Sequence, residues 1–263
     1  MPHNDVLIAD LSELCIELAV EAASTAASGR SHQPTFTSAT KSSATDLVTP
    51  FDQAAERFIR AQLSTQRPHD GIIGEEESDL TGTSGLTWIV DPIDGTTNFV
   101  FGLPAWGCSI AVARGNQLLA GAVHIPALSE TYSATSGQGA GCNGSVIAAS
   151  ATSSFETALV ATGFSYHPQR RAQQGNTVAR LLPQVRDIRR SGSAAYDLCC
   201  VAAGTVDGYY EKNLSLWDIA AGALIAREAG ARVEYSPSGA RTNIAVVASS
   251  PDIFELLRSF VND

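Results

Sequence analysis

The stretch Trp88-Ile89-Val90-Asp91-Pro92-Ile93-Asp94-Gly95-Thr96-Thr97-Asn98-Phe99 constrains this chain most, because it sets an apolar strand against two carboxylates and a glycine turn. Leu86 to Val90 read as a short buried strand. Pro92 lacks a backbone donor and is expected to end it, leaving Asp91 at the strand's carboxyl end. Active sites of sheet proteins gather at such ends. Two carboxylates three residues apart repel each other unless a cation lies between them, and hard oxygen ligands select Mg²⁺ or Mn²⁺. Gly95 lets the amides of Gly95 and Thr96 face an anion, as in turns that bind phosphate. The same residues also suit an ordinary Asp-Gly turn with a capping Asp, and the stretch alone does not choose.

Two other segments bear on the choice. Upstream, Ile72-Ile73-Gly74-Glu75-Glu76 is a second short apolar run ending in Gly and paired acids; downstream, Trp217-Asp218-Ile219-Ala220-Ala221-Gly222 opens a helix with an acid. Gly-Glu-Glu, Asp-Pro-Ile-Asp-Gly-Thr and Trp-Asp-Ile-Ala-Ala-Gly, in this order and spacing, resemble the inositol monophosphatase family of Mg²⁺-dependent, lithium-sensitive phosphatases. The resemblance extends to Asp46-Leu47-Val48-Thr49 and to Gly192-Ser193-Ala194-Ala195, and so covers roughly residues 40 to 250.

The resemblance implies an α/β fold, a layered α-β-α-β-α sandwich, and a two-metal site. Glu75, Asp91 and the carbonyl of Ile93 would hold one Mg²⁺, and Asp91, Asp94 and Asp218 a second. A third, looser ion would share Glu75 and water, with Mn²⁺ as a substitute metal. Thr96, oriented by Asp46, would activate the attacking water, with no covalent phosphoenzyme. Asp94, Gly95, Thr96 and Asp218 would also face the substrate, together with Gly192, Ser193 and Ala194. Glu211 would accept hydrogen bonds from inositol ring hydroxyls. Lys41 is either a solvated loop residue or, as in the family, a lysine approaching the metal loop; Glu76 supports the loop that carries Glu75. A homodimer is the implied assembly.

At 263 residues the chain suits a single inositol monophosphatase-like domain with two packed halves, 1–150 with an antiparallel sheet and the metal loop, 151–263 with the substrate loop. A net charge of −10 argues against nucleic-acid and anionic-membrane surfaces, which need basic patches. The substrate class implied is a small-molecule phosphate monoester, and bound metal reconciles that anion with an acidic protein. Five cysteines without a C-x-x-C spacing do not make a disulfide framework. No membrane span or signal peptide is read from the sequence, so the cytoplasm is the expected location.

In chain order, helical spacing predicts a helix from Asn4 to about Ala27, then a Ser/Thr-rich loop from Ser24 to Thr45, and a helix over Phe51–Leu63 capped by Asp52. A hairpin-like excursion is expected over 78–85, and a true hairpin at Gly115-Asn116. Strands alternating with helices follow, including a strand Gly208–Glu211 that ends at the acid. The histidines, His167 among them, adjoin no motif and are read as structural or surface residues. Ser191-Gly192-Ser193 lacks a nucleophile elbow, and Cys199-Cys200 reads as helix core. Either Arg189 or Arg190 buttresses the Gly192 loop or a subunit contact.

The leading functional reading is hydrolysis of inositol monophosphate. Its rivals are histidinol phosphate, fructose 1,6-bisphosphate and 3′-phosphoadenosine nucleotides as substrates, or a regulatory binding protein that keeps the fold.

Overall fold

The computed structural model describes residues 2–33, 35–41, 46–236 and 239–262. Its first helix, α1 (Pro2–His32), buries Leu11, Leu14, Cys15, Leu18, Ala22 and Ala26, a stripe at helical spacing. It runs past Ala27, where a loop was expected. The Ser-rich segment stays helical where the ring of Phe51 packs on Gly29, and the exposed Ser31 Oγ and His32 Nδ1 bond back to the carbonyls of Ala27 and Ser28. What remains of the expected loop includes a small antiparallel pair, β1 (Ala39–Thr40) with β2 (Leu47–Val48); Pro34 and residues 42–45 lie outside the described residues. Helix α2 (Pro50–Gln66) starts on a capping box in which Thr49 and Asp52 satisfy each other's end of the turn.

The larger sheet has the order β3 (Gly71–Gly74), β4 (Leu86–Asp94), β5 (Gly107–Arg114), β6 (Gln117–Ile125), β7 (Glu130–Thr135), β8 (Ala140–Cys142), β9 (Ser145–Val146). Between β4 and β5 lies the short helix α3 (Thr96–Phe101). Gly115 and Asn116 form the two-residue turn between β5 and β6, as the sequence predicts. Strands β3 and β4 are parallel, and the connection over 78–85 makes the expected hairpin-like excursion, turning back so that Leu80 bridges Ile72 antiparallel before the chain crosses to β4. One expectation fails here: strand β4 continues through Pro92 to Asp94. The register passes from Asp91 beside Ser109 to Asp94 beside Gly107, and the extra residue makes a bulge that accommodates a proline without a ladder donor.

The second sheet has the order β11 (Asp187–Arg189), β10 (Leu159–Thr162), β12 (Gly208–Leu214), β14 (Ile244–Ser249), β13 (Arg232–Ser236). Helix α4 (Pro168–Leu181) joins β10 to β11, α5 (Ala194–Ala202) joins β11 to β12, α6 (Leu216–Glu228) joins β12 to β13, and α7 (Phe254–Asn262) follows β14. Strand β12 runs past Glu211, which pairs with Val246 in mid-strand rather than ending it.

Period-two alternation sorts the strands' side chains into three cores. Trp88 and Val90 pack with α1 and α2 on one face of the larger sheet, while Ile89 and Ala111 face α5 and α6 on the other. Those two helices meet Tyr209 and Val246 of the second sheet, whose outer face, through Val160, Tyr210 and Val247, is closed by Leu181 of α4 and Phe254 and Leu257 of α7. The result is helices, sheet, helices, sheet, helices. Burial on both faces explains why the strands read as continuous apolar runs.

The central helix layer is tight. A Cβ on Gly222 of α6 would sit 2.7 Å from Leu198 Cβ and 3.2 Å from the Ala195 carbonyl of α5. Gly222→Val adds that atom and two methyls, with little of the helix-propensity gain that Ala would bring. It should lower stability by about 1–3 kcal/mol, read as a lower urea midpoint with an unchanged slope; an unchanged midpoint would mean the layer can slide apart.

Candidate functional site

Parallel pairing sets Gly74 beside Val90, so Glu75, just past the end of β3, comes beside Asp91, which β4 still pairs with Ser109. Asp91 is 2% exposed and accepts from the Ile93 amide at 3.1 Å. The bulge then turns Asp94 toward the second half of the chain, where its carboxylate accepts from the Ser193 hydroxyl and from the Ala195 amide at 2.7 Å. Gly95 follows with φ +88°. A Cβ there would also lie 3.1 Å from the Ala105 carbonyl and 3.2 Å from that of Gly192, so the turn is reserved for glycine twice over. From α6, Asp218 completes a capping box with Ser215, accepting its amide at 2.7 Å. Glu211 enters from β12, held by the Tyr209 hydroxyl at 2.8 Å, in space that any side chain at Gly163 would occupy.

A single cavity of about 590 Å³ is lined by Lys41, Asp46, Glu75, Asp91, Ile93, Asp94, Gly95, Thr96, Gly192, Ala194, Glu211 and Asp218. Nearly every residue singled out in the sequence thus reaches one space. Two are placed otherwise than expected. The Thr96 hydroxyl lies 3.1 Å from Asp52 Oδ1 and 3.1 Å from the Ile93 carbonyl, so Asp52, not Asp46, is the acid that orients it. A face of α2 brings Asp52 under the strand end, whereas Asp46 sits at the cavity wall. Ser193 is buried, caps α5 and binds Asp94, so its side chain supports a carboxylate and does not line the cavity.

Lys41, though exposed, approaches the metal loop: its ammonium pairs with Glu75 at 2.8 Å and with Glu76. The sequence reading missed His167, Arg170, Tyr166 and Asn98, and left the choice between Arg189 and Arg190 open. His167 and Arg170, at the start of α4, line the cavity with Tyr166, so His167 is more than a surface histidine. Arg190 lines it too, while Arg189 turns outward to Asp187. Asn98 donates to the carbonyls of Ala105 and, at 2.8 Å, Ser191, clipping the metal loop to the Gly192 loop. Only Asn98 had a local signal, its place inside the Asp-Gly-Thr-Thr-Asn run; the others arrive through tertiary packing of α4 and β11.

Electrostatics show what the arrangement costs. Burial raises the Asp91 carboxyl well above the usual range, and Glu75, Asp94 and Asp218 raise it further. Burial, then Asp94 and Glu75, do the same to Asp218. Burial pushes Asp94 up to about 6 despite its two donors, Glu211 up to about 7, and Asp52 up to about 6. At Lys41 burial opposes the charge, but Glu75 and Glu76 outweigh it and push the ammonium's pKa up. Among the described residues no three such side chains close on a common point as a finished metal shell. The donor set itself, carboxylates and one peptide carbonyl, fits a hard divalent cation.

The sequence profile of the inositol monophosphatase family matches residues 8–256. An inositol-1-monophosphatase of Mycobacterium bovis is 46% identical over 227 residues, covering 82% of this chain and 78% of that protein. The Nus factor SuhB of Escherichia coli is 37% identical over 234 residues, 88% of each chain. Among solved structures, Mycobacterium tuberculosis SuhB superposes with a TM-score of 0.83 at 40% identity, covering 97% of this chain and 96% of that one.

Carboxyls whose pKa rises on folding bind more protons in the native state, so their contribution is intact below the ordinary carboxylate range and is lost as pH climbs through the folded values, here about 6 for Asp94 and about 7 for Glu211. In chelator, the melting temperature should therefore fall between about pH 5 and about pH 8. Glu211→Gln should match wild type at the lower pH and exceed it at the higher. Parallel melting curves for the two proteins would contradict the assignment of Glu211 as a buried titrating group.

Proposed function

This chain belongs to the inositol monophosphatase family, and from that membership we propose that it is a Mg²⁺-dependent phosphomonoesterase hydrolysing inositol monophosphate to inositol and phosphate. The observation that supports this reading best is the convergence of Glu75, Asp91, Asp94 and Asp218 on one cavity beside a threonine hydroxyl held by a buried acid. Glu75, Asp91 and the Ile93 carbonyl would hold one ion, Asp91, Asp94 and Asp218 a second, with a looser third at Glu75. When bound, Mg²⁺ supplies a more acidic water and charge neutralisation at the departing oxygen.

The chain's own residues do the rest. Thr96 gives its proton to the Asp52 hydrogen bond, which leaves its lone pairs to accept from the attacking water and fix its direction. Asp52 is the group that takes up the proton's charge, and its raised pKa of about 6 suits that task near neutrality. Amides of the Gly95 turn and the Gly192 loop face the phosphate, and Glu211 accepts from ring hydroxyls. Arg190 and Arg170 add positive charge to the wall, Arg190 close enough to Asp94 and Glu211 to oppose the rise of their carboxyl pKa values. Among the described residues no helix is long and apolar enough to cross a membrane. A cytoplasmic homodimer is the assembly we assign.

A second reading, regulatory binding, draws on the E. coli relative named a Nus factor. It is compatible with catalysis, and phosphate release with Mg²⁺ present and then chelated tests the catalytic reading. Release should depend wholly on the metal, and Asp91→Asn, which removes the proposed bridging ligand, should lower it at least about a hundredfold, since such a metal contributes several kcal/mol. Near-normal turnover by Asp91→Asn would remove Asp91 from the metal site.

Substrate choice is tested by Glu211→Gln against inositol 1-phosphate, histidinol phosphate, fructose 1,6-bisphosphate, 3′-phosphoadenosine nucleotides and a small generic phosphate ester. Losing a charge-assisted contact of about 1.5–3 kcal/mol should cut kcat/KM for inositol phosphate about ten- to a hundredfold and spare the generic ester. Equal loss on both, or a wild-type preference for another substrate, would show that Glu211 is not the selector.

A further inference from the structure

We propose that Glu56 of α2 is a positioning residue that fixes the turn after Glu75 in the shape that binds the cation. The proposal rests on the metal-site reading above. Glu56 lies one helical turn after Asp52 and is completely buried. Its Oε2 accepts from the Glu76 amide at 2.7 Å and its Oε1 from the Glu77 amide at 3.1 Å. Arg60, a further turn along α2, donates Nε to Glu56 Oε1 at 2.8 Å and Nη2 to the Glu77 carbonyl at 3.1 Å. The two residues after the ligand are thus gripped at two amides and one carbonyl by two side chains of one helix.

The residue before the ligand is fixed by the same carboxylate. A Cβ on Gly74 would lie 2.2 Å from Glu56 Oε1, so glycine ends β3 because Glu56 fills the place of its side chain. Glu75 therefore has its backbone set on both sides, and only its side-chain torsions remain to adjust. The chemistry explains why an acid occupies this place. Two consecutive amides need two acceptor oxygens at once; a carboxylate offers both, whereas a carboxamide offers one. Holding the loop could have been left to neutral groups. Burying another anion beneath a cluster of carboxylates adds repulsion, felt at Glu76, where Glu56 is among the charges raising its pKa after burial itself. That cost is expected where ligand geometry, rather than stability alone, is held in place. Residues supporting metal ligands in this way commonly change affinity 10–100-fold when lost.

The test is Mn²⁺ binding to the full-length protein, followed by electron paramagnetic resonance without substrate, with Mg²⁺-dependent phosphate release alongside. Glu56→Gln should weaken the tightest Mn²⁺ site about 10–100-fold and raise the Mg²⁺ concentration for half-maximal activity by a similar factor. At saturating Mg²⁺, kcat should return to within about threefold of wild type, since the reacting groups are untouched. Gly74→Ala, which displaces the carboxylate without altering its charge, should give the same affinity loss and serves as the independent probe if Glu56→Gln does not fold. Leu257→Ala, which opens a cavity in the outer core under α7, away from the site, should keep wild-type Mn²⁺ affinity. Wild-type affinity in folded Glu56→Gln or Gly74→Ala, or an equal loss in Leu257→Ala, would overturn the proposal. If wild type binds Mn²⁺ but releases no phosphate, the proposed reaction fails while the positioning role stands; if wild type binds none, both fall.

Discussion

Mutual repulsion among carboxylates at one strand edge is the constraint on which the rest of the structure depends. Glu75 and Asp91 are placed side by side by parallel pairing, Asp94 is brought round by a bulge, and Asp218 closes in from α6 and Glu211 from the second sheet. Left in a low-dielectric pocket, such a group favours protonation or a counter-cation, and the raised carboxyl pKa values express that cost. Around it the fold provides what compensation it can: the Lys41 ammonium on Glu75 and Glu76, the Ser193 hydroxyl and Ala195 amide on Asp94, the Ser215 amide on Asp218.

Helix starts serve that arrangement. In α2 and again in α6 the acid that completes the capping box also faces the site: Asp52 gives one oxygen to Thr49 and the other to Thr96, and Asp218 gives Oδ2 to Ser215 and opens onto the cavity. Local helix termination and site geometry are therefore one set of bonds. An acid so used has its rotamer fixed before any ligand arrives, which is the preorganisation that a binding constellation needs.

Much of this was legible in the sequence. The motifs around Glu75, Asp91 and Asp218 carry their own backbone signals, an apolar run, a glycine or a helix start, and most strands and helices fall where periodicity puts them. What was not legible depends on distant partners. Pro92 reads as a strand end, yet a bulge against Ser109 and Gly107 absorbs it. The segment after Ala27 reads as loop, yet packing on Phe51 keeps it helical. Asp46 reads as the partner of Thr96 and Asp52 only as a helix cap; the approach of α2 to the strand end gives Thr96 to Asp52. His167, Arg170 and Arg190 reach the cavity from elements far along the chain, with no spacing rule to announce them.

The five-layer order has a temporal consequence. Glu75, Asp91 and Asp94 come from the first sheet or its edge, whereas the Gly192 loop precedes α5, Glu211 lies on the second sheet and Asp218 on α6, all at least 98 residues further along the chain. During synthesis the amino-terminal acids emerge long before the residues that complete their pocket. A ribosome-bound chain that has folded its first sheet therefore carries an open, half-built cluster of acids, and recovery of a working centre marks the last docking event of folding rather than the first.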